Sequence, residues 1–525
     1  MNLKATKTPD FFRSQSLQDL AWGENKNSLY PNTGANASIE SILTELNQQF
    51  SPEKRNILSS VLQRQYRGID ITQQQSKNIE SLNENHVFTV VTGQQIHPIM
   101  GPFFVWNKIV STIQTAQQLT IQYPGKLFVP IFWMASEDHD FEEISGMPFM
   151  GKNYEWTEEH GGPVGKLPTK NIVSLLENIQ QDFISDDKIV STIESFKIHY
   201  QQFGNLADAS RSFIQAYFGE AGLLVLDPNE PELKQMFVDV FTHEIQTSFF
   251  EDFTQQAALL KDNNLPVAVN PRKTHLFYLE DSKRLRIDAT TDGFITAKQE
   301  MEWSKEALLE LVKTSPEKLS PNVLMRPLYQ QSILPNVVYV AGPSEFYYWM
   351  LTPKAFKTAG LAIPRLQLRA SSVIINKGIA KKMNRLKLEM NQIFQSYSAL
   401  EDVVLQQYKD DFKLDGAIDE LKTGFEKLWQ SLYEIKEPSL KNIKKENEQF
   451  LRSMQKISAD YKSGATAESE ISALLQTLKS LKESTFNESN PQERTLSCLE
   501  YLVKYGTFPS FVELNEVSEF FEISG

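Results

Sequence analysis

The alternation of hydrophobic and polar positions organises the chain around residues 86 to 146. His86-Val87-Phe88-Thr89-Val90-Val91 is a short β-rich apolar run that stops at Thr92-Gly93-Gln94-Gln95, so the pattern predicts a strand opening into a polar, flexible turn. Beyond a second corner at Gly101-Pro102, the residues Phe103, Val105, Ile109, Val110, Ile113 and Ala116 recur at helical spacing. This predicts a helix from Phe103 to Leu119 with Lys108, Gln114 and Gln117 on its polar side. Leu127 to Met134 is apolar on both alternating faces, as in a strand covered on two sides, and Glu137-Asp138-His139-Asp140 follows its carboxyl end. The stretch reads as a βαβ unit. In open α/β sheets ligands settle outside the carboxyl ends of the strands, so chemistry is expected at that edge.

The flanking patterns divide the rest. Residues 1–84 form a Gln-rich helical lead-in with Ile39, Ile42, Leu43 and Leu46 at helical spacing, and 85–150 hold the first half of an α/β core. Gly161-Gly162-Pro163-Val164-Gly165-Lys166 resembles a phosphate loop but is one residue short and lacks a Ser or Thr after the lysine, so a surface turn is expected. Residues 151–218 are a helical insertion; 219–376 resume the core at Leu223 to Leu226, carry a β-rich excursion over 266–288, and end with a strand at Val337 to Val340. Ser344 and Glu345 are expected to open the next helix, with a capping hydroxyl and an early acid. Residues 377–490 change character to long, charge-rich helical periods, the pattern of a coiled-coil arm, and 491–525 add a last helix and an acidic tail.

Composition narrows the function. A net charge of -13 disfavours a general nucleic-acid binder, and 41% hydrophobic content over 525 residues supports a large core. Cys498 is the single cysteine, which removes intrachain disulfides and Cys-rich metal spacings. With no apolar signal core behind Met1 and no run of membrane-spanning length, a cytoplasmic protein without membrane association is expected.

Glu137, Asp138, His139 and Asp140, with Glu142 and Glu143 close behind, are the densest ionisable cluster near a strand end. Four readings fit: binding substrate amines and moving protons, holding a metal, capping a helix, or forming a solvated loop. With one histidine in the run, no metal is predicted. Thr92, Gly93, Gln94 and Gln95, with Gly101 and Pro102, suit either a nucleotide cradle or a structural turn. Lys108 either points toward such a site or solvates its helix, and the polar stripe favours the latter. Gly342, Ser344 and Glu345, with Tyr347, Tyr348 and Trp349, form a second strand-end loop with aromatic walls. Asn336 and Arg326 are expected to approach the same edge if their segments lie beside it.

Thr92-Gly93-Gln94-Gln95, Gly101-Pro102, Phe132 through Glu143, Arg326-Pro327-Leu328-Tyr329-Gln330 and Gly342-Pro343-Ser344-Glu345 together resemble the BshC family, cysteine ligases of bacillithiol biosynthesis. The resemblance covers nearly the whole chain, and the Trp-Met-Ala-x-Glu-Asp-His-Asp run is its most specific part. It implies a Rossmann-like parallel-sheet core with inserted connective segments and a long helical coiled-coil arm through which two copies pair. The implied activity is addition of cysteine to glucosaminyl-malate. By analogy with class I aminoacyl-tRNA synthetases, Gln94, Gln95, Gly101 and Pro102 would face nucleotide and Glu137 to Asp140 the amine or sugar. ATP would activate the carboxylate, giving an acyl-adenylate, and Asp138 or His139 would be the base, oriented by Glu137 or Asp140. Ile96-His97 stands where the family usually has Pro-Gly. Two rivals remain: a non-catalytic nucleotide- or metabolite-binding dimer, and a metal-dependent hydrolase using Asp138, His139 and Asp140.

Overall fold

The computed structural model describes residues 2–6, 17, 20–21, 29–33, 38–158, 161–280, 282–297, 299–412, 414–433, 445–446, 448–453, 456, 465–487, 490–509 and 520–524. These divide into two compact units, one comprising most of residues 13–372 together with 493–523, the other centred on 373–492.

The larger unit is built on a five-stranded sheet. Strands β1 (Val87–Gln94) and β2 (Leu127–Met134) are joined by helix α1 (Phe104–Gln122), and helix α2 (Phe141–Ser145) follows β2. Strand β3 (Leu224–Leu226) leads into the short helix α3 (Pro231–Gln235). A meander then runs through β4 (Leu276–Glu280), β5 (Lys283–Ala289), β6 (Phe294–Thr296), β7 (Glu302–Trp303) and β8 (Leu319–Pro321), in the order β7-β6-β5-β4-β8 with antiparallel pairings. Helix α4 (Arg326–Ile333), β9 (Asn336–Ala341), helix α5 (Pro343–Trp349) and β10 (Arg365–Leu368) complete the core.

The central sheet has the order β10-β9-β1-β2-β3, with parallel pairing throughout. From β1 the chain steps to β2 and β3 on one side, then crosses to β9 and β10 on the other. β1 and β9 are therefore the pair at which the winding reverses, and their connections leave in opposite directions and open a crevice at the carboxyl edge. The strands are buried because both faces are covered: Val87, Val91, Val129 and Ile131 join one apolar cluster, Phe88, Val90, Phe128 and Val338 the other.

Helix α1 departs from the amphipathic expectation. Of its predicted polar stripe only Gln117 is exposed; Lys108 and Gln114 are buried. The outer face is covered by a segment nearly 400 residues later: Asn107 donates to Glu493 (2.6 Å), Trp106 meets Phe521 with ring centroids 5.6 Å apart, and Phe103 meets Tyr501 at 4.6 Å. A local pattern carries no signal for so distant a cover. The last helix among the described residues, α6 (Cys498–Tyr505), is capped by Ser497, whose hydroxyl accepts the Glu500 N–H.

The glycine-rich stretch at 161–166 is not a surface turn. Gly162, Pro163, Val164 and Gly165 are buried, and the N–H groups of Val164 and Gly165 donate to the carbonyls of Asp138 (2.7 Å) and Ser136 (2.8 Å). A Cβ on Gly165 would come within 2.6 Å of the Ser136 Cβ, so only glycine allows this buttress beneath the acidic run.

In the smaller unit, helix Tyr397–Phe412 packs along helix Ala465–Thr485, with Leu400, Val404, Leu478 and Leu481 buried. Lys482 donates to the carbonyls of Ile393 and Gln395, tying the preceding turn to this pair. In helix Leu414–Tyr433, Leu421 and Leu428 are more than half exposed. The expected seam positions Met454, Ile457 and Tyr461 lie outside the described residues.

Candidate functional site

A cavity of about 330 Å³ opens where the winding reverses. Its floor comes from the end of β1 (Gly93, Gln94 and Gln95) and the turn after β9 (Gly342, Pro343, Ser344 and Glu345). Asp138 and Glu143 line it, Arg326 and Gln330 approach from α4, and Arg369 and Arg494 line it beside Phe104. Trp133, Tyr339, Tyr348 and Trp349 supply aromatic walls, with the Tyr339 and Trp349 rings stacked at 4.1 Å.

Two buried polar networks give the cavity its shape. The first joins its two glycine-containing loops. Lys108, reaching up from α1, donates to the Gly93 carbonyl, to Gln94 Oε1 (3.1 Å) and to Glu345 Oε2. Glu345 also accepts the Tyr339 hydroxyl (2.9 Å) and the Gly342 N–H (2.7 Å). The opening of α5 is thus capped by the Glu345 carboxylate, with Gly342 as the capping residue, and not by the Ser344 hydroxyl. Burial lowers the Lys108 pKa and the Glu345 carboxylate opposes that shift. A lysine expected to solvate its helix is instead the tie between β1 and α5.

The second network fixes the acidic run. Asp138 Oδ1 takes Arg284 Nη1 at 3.1 Å, and Oδ2 takes Arg326 Nη2 at 3.1 Å. Burial pushes the Asp138 carboxyl up, but the His139 hydrogen bonds and the Arg326 and Arg284 charges outweigh it and hold the group well below the usual carboxylate range. Arg284 is itself fixed by Ser320 Oγ and the Pro321 carbonyl, and lies over the Phe277 ring at 3.8 Å. Glu137 points inward to Lys234 of α3 and the Ser320 hydroxyl.

The expected residues therefore separate. Gly93, Gln94, Gln95, Lys108, Asp138, Gly342, Ser344, Glu345 and Tyr348 meet on one cavity. Thr92 lies just below it, its hydroxyl donating to the Val340 carbonyl inside the sheet. Glu137 is a buried ion-pair partner behind the wall. His139 faces an adjacent cleft of about 900 Å³ with Arg272, Phe277 and Lys283, and Asp140 caps α2 by accepting the Glu143 N–H (3.2 Å).

Gly101 and Pro102 do not reach the cavity. The Gly101 carbonyl accepts the Cys498 N–H (2.7 Å) and Pro102 bridges to Ser497, so this corner docks α6. Gly101 has φ +68°, and a Cβ there would sit 2.5 Å from His97 Cγ. His97 is buried, and burial lowers its pKa to about 4. Asn336 begins β9 and so lies at the opposite, amino end of the sheet from the cavity.

The two residues expected as the base differ in their surroundings. Asp138 is held ionised between two guanidinium groups, and His139 lines the adjacent cleft with its Nδ1 3.1 Å from Arg284 Nη1. Glu143 and the Lys108-paired Glu345 are the other two carboxylates that line the cavity, and the first of these has a perturbed titration. Its pKa is raised to about 6, by partial desolvation at the cavity edge first and then by the Asp140 and Asp138 charges, against the opposing charges of Arg326 and Lys108, while the residue as a whole is exposed to solvent. Arg369 follows β10 and could have been noticed as a strand-end cation; Arg494, more than 120 residues later, left no such signal. Arg369 is paired with Glu493 at 2.8 Å, and both guanidinium groups lie within 5.5 Å of the Phe104 ring centre. Among the described residues no group of three or more His, Cys, Asp or Glu side chains is arranged to hold a metal ion, and no helix is long and apolar enough to cross a membrane.

Two family models together span almost the whole chain. Residues 4–370 match the N-terminal Rossmann-like domain of bacillithiol biosynthesis BshC, and residues 372–516 match the C-terminal coiled-coil domain of the same family. Similar proteins include one from Flavobacterium johnsoniae, 33% identical over 429 residues (81% of this chain and 80% of the relative), and one from Flavobacterium psychrophilum, 34% identical over 395 residues (75% and 73%). A third, from Christiangramia forsetii, is 28% identical over 470 residues (88% and 87%). Each carries the name "Putative cysteine ligase BshC".

Proposed function

Because the chain belongs to the BshC family, we propose that it is a ligase of bacillithiol biosynthesis that joins the carboxyl group of cysteine to the amine of glucosaminyl-malate at the cavity between β1 and β9. The observation that carries this reading is the meeting of both charges on one cavity. Asp138 and Glu143 line it together with the exposed guanidinium of Arg494 beside Phe104, and aromatic faces complete the lining. An amino sugar bearing carboxylates presents the complementary pattern: its ammonium suits the two acids, its carboxylates suit planar guanidinium groups, and its ring suits the aromatic faces.

Amide formation from a free carboxylate needs a leaving group better than oxide, and ATP is the proposed activating co-substrate. The guanidinium of Arg494 is also what a transferred phosphate or nucleotidyl group would meet, with Arg369 held beside it by Glu493. This chain's own contribution is to hold the reactants together and exclude water. Lys108 and Glu345 fix the two floor loops, while Arg284 and Arg326 aim Asp138 into the cavity so that it orients the incoming ammonium. The exposed Leu421 and Leu428 of the helical unit suit pairing with a second copy, and a cytoplasmic setting suits an enzyme that makes a thiol.

The test is direct. Full-length protein incubated with cysteine, glucosaminyl-malate and ATP should yield bacillithiol by mass spectrometry, with no product when ATP is omitted. Deleting the gene should remove bacillithiol and accumulate glucosaminyl-malate; unchanged thiol pools would overturn the reading. The hydrolase alternative lacks geometric support, since Asp138, His139 and Asp140 are committed to an arginine clamp, a neighbouring cleft and a helix cap.

A further inference from the structure

Three carboxylates line the cavity, and two are already committed. Glu345 is paired with Lys108 and also accepts from Tyr339 and Gly342, and Asp138 holds one guanidinium on each oxygen. Glu143 lines the same cavity one helical turn after Asp140, and its backbone N–H, not its carboxylate, makes the capping bond. The charged groups around it are Asp140 from its own turn, Asp138 before it, Arg326 at the start of α4 and Lys108 from α1. The two acids outweigh the two cations, and among the described residues no ion pair locks the Glu143 carboxylate in its charged form.

We propose that Glu143 is the proton acceptor that converts the attacking ammonium of the amino-sugar substrate to the free amine, an inference that rests on the ligase reading above. The ammonium enters between Asp138 and Glu143. One N–H proton passes to Glu143, which becomes the neutral acid, and the freed lone pair attacks the carbonyl carbon of cysteine activated as a mixed anhydride with phosphate. The C–N bond forms, the C–O bond to phosphate breaks with its electron pair leaving on oxygen, and the second N–H proton departs with the phosphate. Asp138 keeps its charge throughout and acts on position alone. This division of labour needs two acids with opposed environments, one pinned by guanidinium groups and one not. Glu143 is thereby ionised and basic enough at neutral pH to take the proton.

The experiment compares full-length wild type, Glu143→Gln and Glu143→Asp in two measurements. In the first, kcat/KM for glucosaminyl-malate is followed from pH 5 to 8 with cysteine and ATP saturating. The wild type should show an acid limb near pH 6, where activity rises as Glu143 ionises. E143Q should lose roughly 100-fold or more together with that limb, with an unchanged circular dichroism spectrum, and E143D should recover part of the rate and keep the limb. In the second, calorimetry compares binding of glucosaminyl-malate with its N-acetyl derivative, which lacks the charged amine. The wild type should prefer the amine by about tenfold or more, and E143Q should narrow that gap. E143Q turnover within about fivefold of wild type, or an intact acid limb, would overturn the role of Glu143. Ligation without preference for the charged amine overturns it as well, while leaving the ligase reading standing. A wild type that neither ligates nor binds either compound removes the ligase reading, and this inference with it.

Discussion

Replacing Lys108 with Met tests whether the cavity floor is held by the charge network beneath it. The side chain of Lys108 is 1% exposed, and its ammonium serves three acceptors on two different loops. Methionine is nearly the same length and fills the space, so the change removes charge without opening a cavity. It leaves the Glu345 carboxylate, 19% exposed, with only the Tyr339 hydroxyl and the Gly342 N–H as partners. Breaking a buried ion pair by deleting one partner costs about 3–5 kcal/mol, and the two surviving donors put this case near ~3 kcal/mol. Removing both charges relieves the orphaned carboxylate, so Lys108→Met with Glu345→Gln should be more stable than Lys108→Met alone. Urea unfolding of the four proteins, followed by tryptophan fluorescence through the transition of the larger unit, measures the coupling, expected to exceed ~1.5 kcal/mol. Because Gly93 and Gln94 also lose their anchor, kcat/KM should fall by about 100-fold in K108M, the scale of an ångström misplacement. Strict additivity of the two single effects, or a K108M cost below ~1 kcal/mol, would refute the idea that this lysine ties the loops together.

Two further outcomes follow from the same geometry. Arg326→Met should free one Asp138 oxygen and cost about 1.5–3 kcal/mol at pH 7, as for other hydrogen bonds to charged groups. The Asp138 pKa is depressed in the folded state, so its contribution is complete above the unfolded value near ~3.9 and is lost as pH falls below it. Both proteins share the unfolded value, so the gap in Tm between wild type and R326M narrows only as pH falls through the depressed folded values; it should persist from pH 7 to pH 3, and a gap that closes above pH 4 would show that Arg326 does not act through Asp138. Gly101→Ala should lower stability by more than ~1 kcal/mol, from positive φ and the collision with His97, while KM for the amine substrate stays unchanged. A KM shift without loss of Tm would return the Gly101-Pro102 corner to the site.

The sequence by itself determined the local periods. The apolar runs at 87–91 and 127–134 had one stable solution, strands covered on both faces, and the acidic run had to follow the second of them. The motif-level resemblance likewise identified the family, because residues such as Trp133 through Asp140 occur in a row. Tertiary structure decided how those pieces face one another. Helical periodicity assigned Lys108 to solvent because it counts apolar neighbours along one helix, whereas the actual cover of α1 comes from Glu493, Tyr501 and Phe521 at the far end of the chain. Four consecutive ionisable residues, Glu137 to Asp140, look equivalent in a row. In the fold they point into an ion pair, the cavity, a neighbouring cleft and a helix cap, since the backbone turns out of β2 at that point. Which carboxylate is free to accept a proton depends on where Arg284 and Arg326 arrive, and they arrive from a meander and a helix more than 140 residues away. Charge pairing across such distances is a property of three-dimensional proximity, and no spacing along the chain encodes it.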